Sequence, residues 1–169
     1  MRLVVPDSSV LSALKSLKCF EHFDTLVRSN NWKVGIPDLV MNETADIVDP
    51  SVFNNFRIYK VDKQRVEQLR NRFPTLGDGE LSVLVLVLDH KKMKIGTDSS
   101  LAILDDKVAR GVAKKLGITF FGTLRLLKIM CDTGILTNSE LVIYLKKLRK
   151  TGFRFKESII QELMKEVKV

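Results

Sequence analysis

Short apolar runs alternate with amphipathic helical patterns along most of the chain. Residues 2 to 6 form a mainly apolar run with two β-branched valines, and this run leads directly into the polar cluster Asp7-Ser8-Ser9. The pattern predicts a buried strand followed by the N-terminus of a helix. By the same criteria, further strands are predicted at 32–36, at 56–61, at one or both of 94–97 and 101–104, and at 118–121.

Apolar residues at a spacing of three predict the first helix. Leu11, Leu14, Leu17, Phe20 and Phe23 form a single apolar face if the chain remains helical after the polar cluster. Other helix ends are predicted from three signals: proline and aspartate in a first turn, an aspartate N-cap, and a glycine C-cap. The remaining helices are predicted to begin at Pro37 and Asp38, to follow Asp62, and to cover 81–88, 107–116 before Gly117, 124–130, 139–149 and 156–167.

The alternation of strands and helices predicts the α/β class. It implies a three-layer α/β/α arrangement, in which a mostly parallel central sheet is covered by helices on both faces. The apolar run 81–88 also has the composition of a strand, but its acidic first turn and the basic residues after it favour a buried helix. The 169 residues fit one domain, with a core at about 1–122 and a helical extension at about 123–169.

The composition favours a globular protein. Hydrophobic residues make up 45% of the chain and charged residues 28%, which argues against the disordered and fibrous classes. The N-terminal apolar run is too short for a signal peptide, and no stretch approaches the roughly 20 apolar residues of a membrane span. We therefore expect a cytoplasmic protein without a membrane partner. Cys19 and Cys131 lack the spacing of a zinc site, so we expect two buried, reduced thiols.

The chain carries a formal net charge of +8. Such a charge raises the local concentration of a polyanion and makes its binding depend on salt, so nucleic acid is the natural partner. The alternative is that the excess of lysine only keeps the protein soluble. Charge alone does not separate these two explanations.

Acidic residues recur at the places where an α/β sheet collects its chemistry. Asp7 follows the first strand, the pair Asp105-Asp106 follows a central one, Glu80 opens a helix after a glycine-rich turn, and Glu43 lies in the first turns of another helix. Carboxylate oxygens suit Mg²⁺ or Mn²⁺, and such ions activate water for attack on a phosphodiester. Each of these acids taken alone has a second explanation, as an N-cap or as a partner of a helix dipole.

Other catalytic chemistries lack their signatures. His22 lies among aromatic residues, His90 lies in a lysine-rich turn, and neither is accompanied by a Gly-x-Ser-x-Gly sequence or a catalytic cysteine motif. The sequence Gly77-Asp78-Gly79 is not followed by the lysine and hydroxyl residue of a phosphate-binding loop. The sequence therefore disfavours a catalytic triad and a nucleotide hydrolase of that kind.

Four motifs in a fixed order resemble the PIN-domain superfamily of metal-dependent ribonucleases. They are Val4-Val5-Pro6-Asp7-Ser8-Ser9, the segment from Ile36 to Glu43, the segment from Leu76 to Glu80, and the segment from Leu104 to Arg110. The chain is similar in particular to a prokaryotic and archaeal branch of VapC-like proteins. In that branch a Gly-Thr-Leu segment and a helical tail follow the core, and this chain has Gly122-Thr123-Leu124 and 151–155 at the matching places.

The resemblance implies a site and a reaction. Its metal ligands, direct or through water, are expected to be Asp7, Glu43, Glu80 and Asp105, with Asp106 as a fifth candidate. Ser9 is expected to form a hydrogen bond near the first of these acids. Arg110 is a candidate for phosphate binding, and the alternative for this side chain is an ion pair with a nearby acid. The implied reaction is the attack of a metal-activated water on an RNA phosphodiester, without a covalent enzyme intermediate.

One ligand position has a competing candidate. Asp98 follows the apolar piece 94–97, so it is an alternative to Asp105 as the acid at the strand end. Asp105 is preferred because the Lys-Val-Ala-Arg sequence that continues from it extends the family pattern. Asp78 is explained by the glycine-rich turn.

The resemblance also implies partners. RNA is the expected substrate, and a toxin of the VapC kind is expected to be blocked by a small antitoxin protein that covers the acidic cleft. Two alternatives are a PIN-like module that binds RNA or protein without cutting, and a metal-dependent nuclease or phosphatase that acts on another substrate. The apolar faces of the last two helices either pack on the core, which is the default, or form a homodimer; they contain Leu141, Leu145, Leu148, Ile159, Ile160 and Leu163.

Overall fold

Five parallel strands form one sheet in the computed structural model, which describes residues 1–46, 56–93, 100–151, 153, 155 and 157–166. The order across the sheet is β3-β2-β1-β4-β5, and every neighbouring pair is parallel. The strands are β1 (Arg2–Pro6), β2 (Trp32–Pro37), β3 (Phe56–Tyr59), β4 (Leu101–Ile103) and β5 (Thr119–Phe121).

Helices flank this sheet, so the predicted three-layer α/β/α fold is confirmed. They lie between the strands in the first part of the chain and follow one another at its end, as the sequence pattern predicts. The helices are α1 (Ser8–Leu17), α2 (Phe20–Ser29), α3 (Asp38–Glu43), α4 (Lys63–Arg72), α5 (Asp78–Met93), α6 (Lys107–Lys115), α7 (Thr123–Asp132), α8 (Asn138–Lys150) and α9 (Glu157–Glu166).

The strand order reverses between β1 and β4. From β1 the chain builds β2 and β3 on one side of the sheet, and it then returns to build β4 and β5 on the other side. Open parallel sheets bind ligands in the crevice outside the carboxyl ends of their strands at such a reversal. Asp7 follows β1 directly, and only Leu104 separates Asp105 from β4, so the topology brings both acids to this point.

Helix α5 occupies the centre of one face of the sheet. It packs against β1, β2 and β4, and every side chain from Leu81 to Val87 is buried. A helix that is apolar all round must be covered on all sides, which explains why this run lacks the alternation of an amphipathic helix. The prediction of a buried helix is confirmed.

The prediction of one continuous first helix is wrong. Helix α1 ends at Leu17, and Lys18 takes a left-handed conformation with a φ of 56°. The backbone N–H groups of Lys18 and Cys19 turn back to the carbonyls of Lys15 and Leu14 and close the helix. Helix α2 then starts at Phe20. Apolar spacing did not reveal the break, because both helices bury their apolar faces in the same core.

Several smaller expectations also need correction. The glycine-rich segment 76–80 is not a separate turn, since α5 already begins at Asp78. Strand β3 ends at Tyr59 instead of residue 61. Cys19 is buried, and burial raises the pKa of its thiol to about 12, whereas Cys131 is partly exposed and not buried as expected. The apolar piece 94–97 and Asp98 lie outside the described residues.

The C-terminal helices pack on the rest of the protein. Leu141, Leu145 and Leu148 of α8 and Ile160 of α9 are buried, α8 packs against α1, and α7 packs against α2. Packing on the core is therefore confirmed for these side chains. None of the helices within the described ranges is long and apolar enough to cross a membrane.

Candidate metal centre at the carboxyl edge of the sheet

Asp7 is buried at the end of β1, with 3% of its surface exposed. Its backbone N–H donates to the carbonyl of Ile103, which ties it to β4. Its Oδ1 accepts hydrogen bonds from the backbone N–H of Val10 and from the hydroxyl of Ser9, both at 2.8 Å. Asp7 is thus the N-cap of α1, and the predicted hydrogen bond of Ser9 is present.

Asp105 lies beside β4 and is held by the start of α7. The backbone N–H of Thr123 donates to Oδ1 at 2.8 Å, and the hydroxyl of Thr123 donates to Oδ2 at 2.6 Å. Both carboxylate oxygens are therefore fixed by one residue. The carboxylate also lies at a helix N-terminus, where negative charge is favoured.

Both aspartates have a raised pKa, and Asp105 contributes to that of Asp7. The pKa of Asp7 is raised to about 6, mainly by burial and to a smaller extent by the negative charge of Asp105, while hydrogen bonds from Val10 and Ser9 lower it. Burial also raises the pKa of Asp105, against the lowering effect of the Thr123 hydrogen bonds and of the positive charge on Arg110. A buried carboxylate beside a partly buried one, both with raised pKa values, forms a site that a cation would stabilise.

Arg110 and Asp106 accompany this pair. The charge of Arg110 acts on Asp105, so the ion-pair role that the sequence left open has electrostatic support. Asp106 is exposed, and its Oδ1 accepts from the backbone N–H of Ala109 at 2.7 Å as the N-cap of α6. A capping role accounts for every hydrogen bond that this side chain makes within the described structure.

Glu43 and Glu80 come from two helices that pack against each other. Glu43 is the last residue of α3, and its carboxylate lies against Gly79 in the first turn of α5. Glu80 is the next residue of α5, and its Oε2 accepts from the backbone N–H of Gly77 at 2.6 Å. Glu80 thus uses one carboxylate oxygen, Oε2, to cap the N-terminus of α5. Both glutamates therefore lie at the N-terminal turn of α5, the helix that packs on β1 and β4.

The four predicted ligands form two pairs in this structure. Asp7 lies near Asp105, and Glu43 lies beside the first turn of α5 that carries Glu80. Within the ranges that the structure describes, no three acidic, histidine or cysteine side chains lie close enough together to hold a metal ion. Asp98, the competing candidate, lies outside those ranges.

The available donors suit a hard divalent cation. All four candidate side chains offer carboxylate oxygens, which Mg²⁺ and Mn²⁺ prefer. A nearby positive charge would offset the free-energy cost of burying the negative charge of Asp7 beside Asp105. The chemistry of these donors therefore fits such an ion, while the described structure brings only Asp7 and Asp105 close to each other.

Thr123 is a functional candidate that the sequence did not single out as a site residue. It is fully buried, and it supplies both hydrogen bonds to the side chain of Asp105. The sequence contained one indication of a role for Thr123, since this residue begins a helix directly after a strand and Gly122. A hydroxyl residue there is an ordinary helix-start residue, so only the three-dimensional arrangement reveals its partner.

Comparison with known proteins agrees with this arrangement. Residues 3–169 match the model of a family, DUF3368, that is described as a PIN domain. Comparison with curated proteins gave no match. PIN domains are generally nucleases that use divalent metal ions, and the parallel sheet with acids at its carboxyl edge is consistent with that kind of protein. Because the match covers nearly the whole chain, the protein belongs to this PIN domain family.

Proposed function

We propose that the protein is a metal-dependent endoribonuclease that hydrolyses RNA phosphodiester bonds. The observation that supports it best is the buried Asp7 beside Asp105, at the strand reversal of a PIN-family sheet. In this proposal Mg²⁺ or Mn²⁺ is held by Asp7, Glu43, Glu80 and Asp105. Adjacent acids with raised pKa values, of which at least one is buried, are a recurrent feature of functional sites.

Each side chain has a task in this reaction. Hydrogen bonds to Ser9 and Val10 hold the carboxylate of Asp7, and Thr123 holds that of Asp105, so neither acid has to be ordered when substrate binds. Glu80 accepts from Gly77 through Oε2, and within the described residues its other oxygen is left to face the ion. A bound divalent ion lowers the pKa of a water molecule and neutralises charge that develops on the phosphate. Arg110 contacts a phosphate of the RNA.

The biological role that we propose is the toxin half of a toxin–antitoxin pair in the cytoplasm. This role is supported by the resemblance of the motif order to VapC-like proteins and by the net charge of +8, which favours RNA. The partner would be a small antitoxin protein that covers the acidic edge, and a homodimer is a further proposed assembly. The competing function is a PIN-like module that binds RNA or protein without cutting.

Cleavage of a mixed, structured RNA tests the proposed activity. The purified protein is incubated with Mn²⁺ or Mg²⁺, and EDTA and the Asp7→Asn variant are compared with it. Asp132→Asn serves as the matched variant, because Asp132 is an exposed acid of α7 that pairs with Lys128 away from the two aspartates. We expect cutting that depends on metal, is lost in Asp7→Asn and persists in Asp132→Asn.

Binding measurements separate the competing function. If RNA stays intact with both metals while gel-shift experiments show tight binding, the non-cleaving module is the better description. If the protein hydrolyses DNA or a small phosphate ester instead of RNA, the metal centre stands and the proposed substrate is wrong.

A further inference from the structure

Three of the four candidate ligands lie directly against a glycine. A Cβ atom built on Gly79 would lie 2.5 Å from Oε2 and 2.8 Å from Oε1 of Glu43. A Cβ atom on Gly122 would lie 2.7 Å from Oδ1 of Asp105, and one on Gly77 would lie 2.7 Å from Oε2 of Glu80. Real Cβ atoms essentially never approach other atoms so closely, so these carboxylates occupy the space that a side chain would fill.

The conformation of the backbone does not account for these glycines. Positive φ values, which favour glycine, occur at Gly117 and Gly134 among the described glycines, and not at Gly77, Gly79 or Gly122. Gly79 lies in the first turn of a helix, where alanine is the better helix former. Since neither backbone conformation nor helix propensity favours glycine at position 79, the close approach of a carboxylate is the physical reason for a residue without a Cβ there.

Gly122 and Thr123 act on Asp105 from the same segment. Thr123 donates to both oxygens of Asp105, and Gly122 leaves the space that Oδ1 occupies. A Cβ on Gly122 would also lie 3.2 Å from the carbonyl oxygen of Leu104, which is backbone and has little freedom to move. Displacement of Oδ1 would therefore break its hydrogen bond to the backbone of Thr123.

We propose that Gly79 and Gly122 are positioning residues of the metal centre, which direct the carboxylates of Glu43 and Asp105 by leaving room for them. This inference rests on the proposed function. The groups that orient metal ligands typically contribute roughly 10–100-fold to metal affinity. Gly79 gives the cleaner case, because Glu43 is an exposed, flexible side chain that can swing away from a new methyl group without disturbing the fold.

The test compares Gly79→Ala with Gly111→Ala. Gly111 lies inside α6, and a Cβ built on it would meet no atom within 4 Å. Both substitutions replace a helical glycine by a better helix former, so we expect both variants to fold and to melt at or above the temperature of the wild type. Titration of the metal-free proteins with Mn²⁺ should show affinity about tenfold or more weaker for Gly79→Ala and unchanged for Gly111→Ala.

A double-mutant cycle then identifies the side chain through which Gly79 acts. In the Glu43→Gln background, Gly79→Ala should change the affinity for Mn²⁺ by far less than tenfold, because the carboxylate that it displaces is already absent. Gly122→Ala should weaken Mn²⁺ binding in the wild type and have little further effect in the Asp105→Asn background.

The outcomes separate this inference from the proposed function. If the wild type binds Mn²⁺ and cleaves RNA while Gly79→Ala and Gly122→Ala bind Mn²⁺ equally well, the positioning role is overturned and the proposed function stands. An additive effect of Gly79→Ala and Glu43→Gln would also overturn it. A wild type that neither binds Mn²⁺ nor cleaves RNA would overturn both.

Discussion

Asp7 and Asp105 are attached to the ends of adjacent central strands, whereas Glu43 and Glu80 lie on two helices that contact each other. The aspartates have short side chains, and hydrogen bonds from the backbone or from Thr123 hold them in place. Glu43 is exposed and Glu80 is partly exposed, and each has one more rotatable bond. In the proposed metal centre, the sheet therefore preorganises the aspartate half, and we expect the glutamate half on the helices to adjust when an ion binds.

The two halves also differ in their electrostatic surroundings. Glu43 is exposed to solvent and Glu80 partly so, and water screens their charges, whereas the carboxylate of Asp7 is buried. The raised pKa of Asp7 comes mainly from its burial, with a smaller contribution from the negative charge of Asp105. We therefore expect the aspartates to dominate the chemistry and the glutamates to modulate it.

The largest expected effect is on the rate of RNA cleavage. Asp7→Asn and Asp105→Asn should each reduce the rate by about 1,000-fold, or about 4 kcal/mol in the activation free energy, because each removes a charge from the preorganised pair. Glu80→Gln should cost about 10–100-fold, since the amide oxygen can still accept from Gly77. Single-turnover cleavage with saturating Mn²⁺ measures all three. Equal losses at every position would contradict the division into a rigid and an adjustable half.

The second effect concerns the stability of the metal-free protein as a function of pH. Burial raises the pKa of Asp7 from 3.8 to about 6, so between these values the folded state binds more protons than the unfolded state. The free energy of unfolding should therefore fall as the pH rises through this window, by about 3 kcal/mol from Asp7 alone. Asp105, whose pKa is also raised, acts in the same direction.

Urea denaturation between pH 4 and pH 7 measures this loss. Asp7→Asn should flatten the profile, because the side chain no longer titrates. Mn²⁺ should stabilise the wild type more at pH 7 than at pH 5, where protons compete with the ion for Asp7. A wild-type profile as flat as that of Asp7→Asn would show that the buried carboxylate carries no such penalty.

A third effect addresses how firmly Asp105 is held. Thr123→Val keeps the shape of this buried side chain but removes the hydroxyl that donates to Oδ2 of Asp105. We expect a loss of about 2 kcal/mol in the free energy of unfolding, together with weaker Mn²⁺ binding, because a carboxylate oxygen loses its donor. Thr123→Ser should restore both properties. If Thr123→Val binds Mn²⁺ as the wild type does, Asp105 is held by the backbone N–H alone.

The sequence was sufficient to predict the parts of the fold that depend on local pattern. The strand before Asp7, the buried helix α5 and the C-terminal helices followed from apolar runs, caps and glycines. The break at Lys18 could not be predicted, since the apolar spacing continues through it and a left-handed lysine has no sequence signature. Local sequence pattern thus predicts helices and strands better than it predicts the turns between two helices that pack in the same core.

The candidate site also has a part that the sequence predicts and a part that only the structure reveals. Asp7 could be singled out because an acid directly after a buried strand is unexpected, and Asp105 because it follows an apolar piece and the Lys-Val-Ala-Arg sequence after it extends the family pattern. Strand order then brings the two together. The bond from Thr123 to Asp105 and the contacts of Gly79 and Gly122 join elements that are distant in sequence. Such contacts are created by packing, so no local pattern contained them.

The smallest expected effect decides whether Asp106 belongs to the rigid half. Asp106 accepts from the N–H of Ala109 as the N-cap of α6, and Asp62 accepts from the N–H of Gln64 as the N-cap of α4. If capping is the only role of each, Asp106→Ala and Asp62→Ala should both lower the free energy of unfolding by about 1 kcal/mol. Both variants should cleave RNA within about twofold of the wild type. A much slower Asp106→Ala beside an unaffected Asp62→Ala would make Asp106 a fifth ligand, and three aspartates would then form the preorganised half.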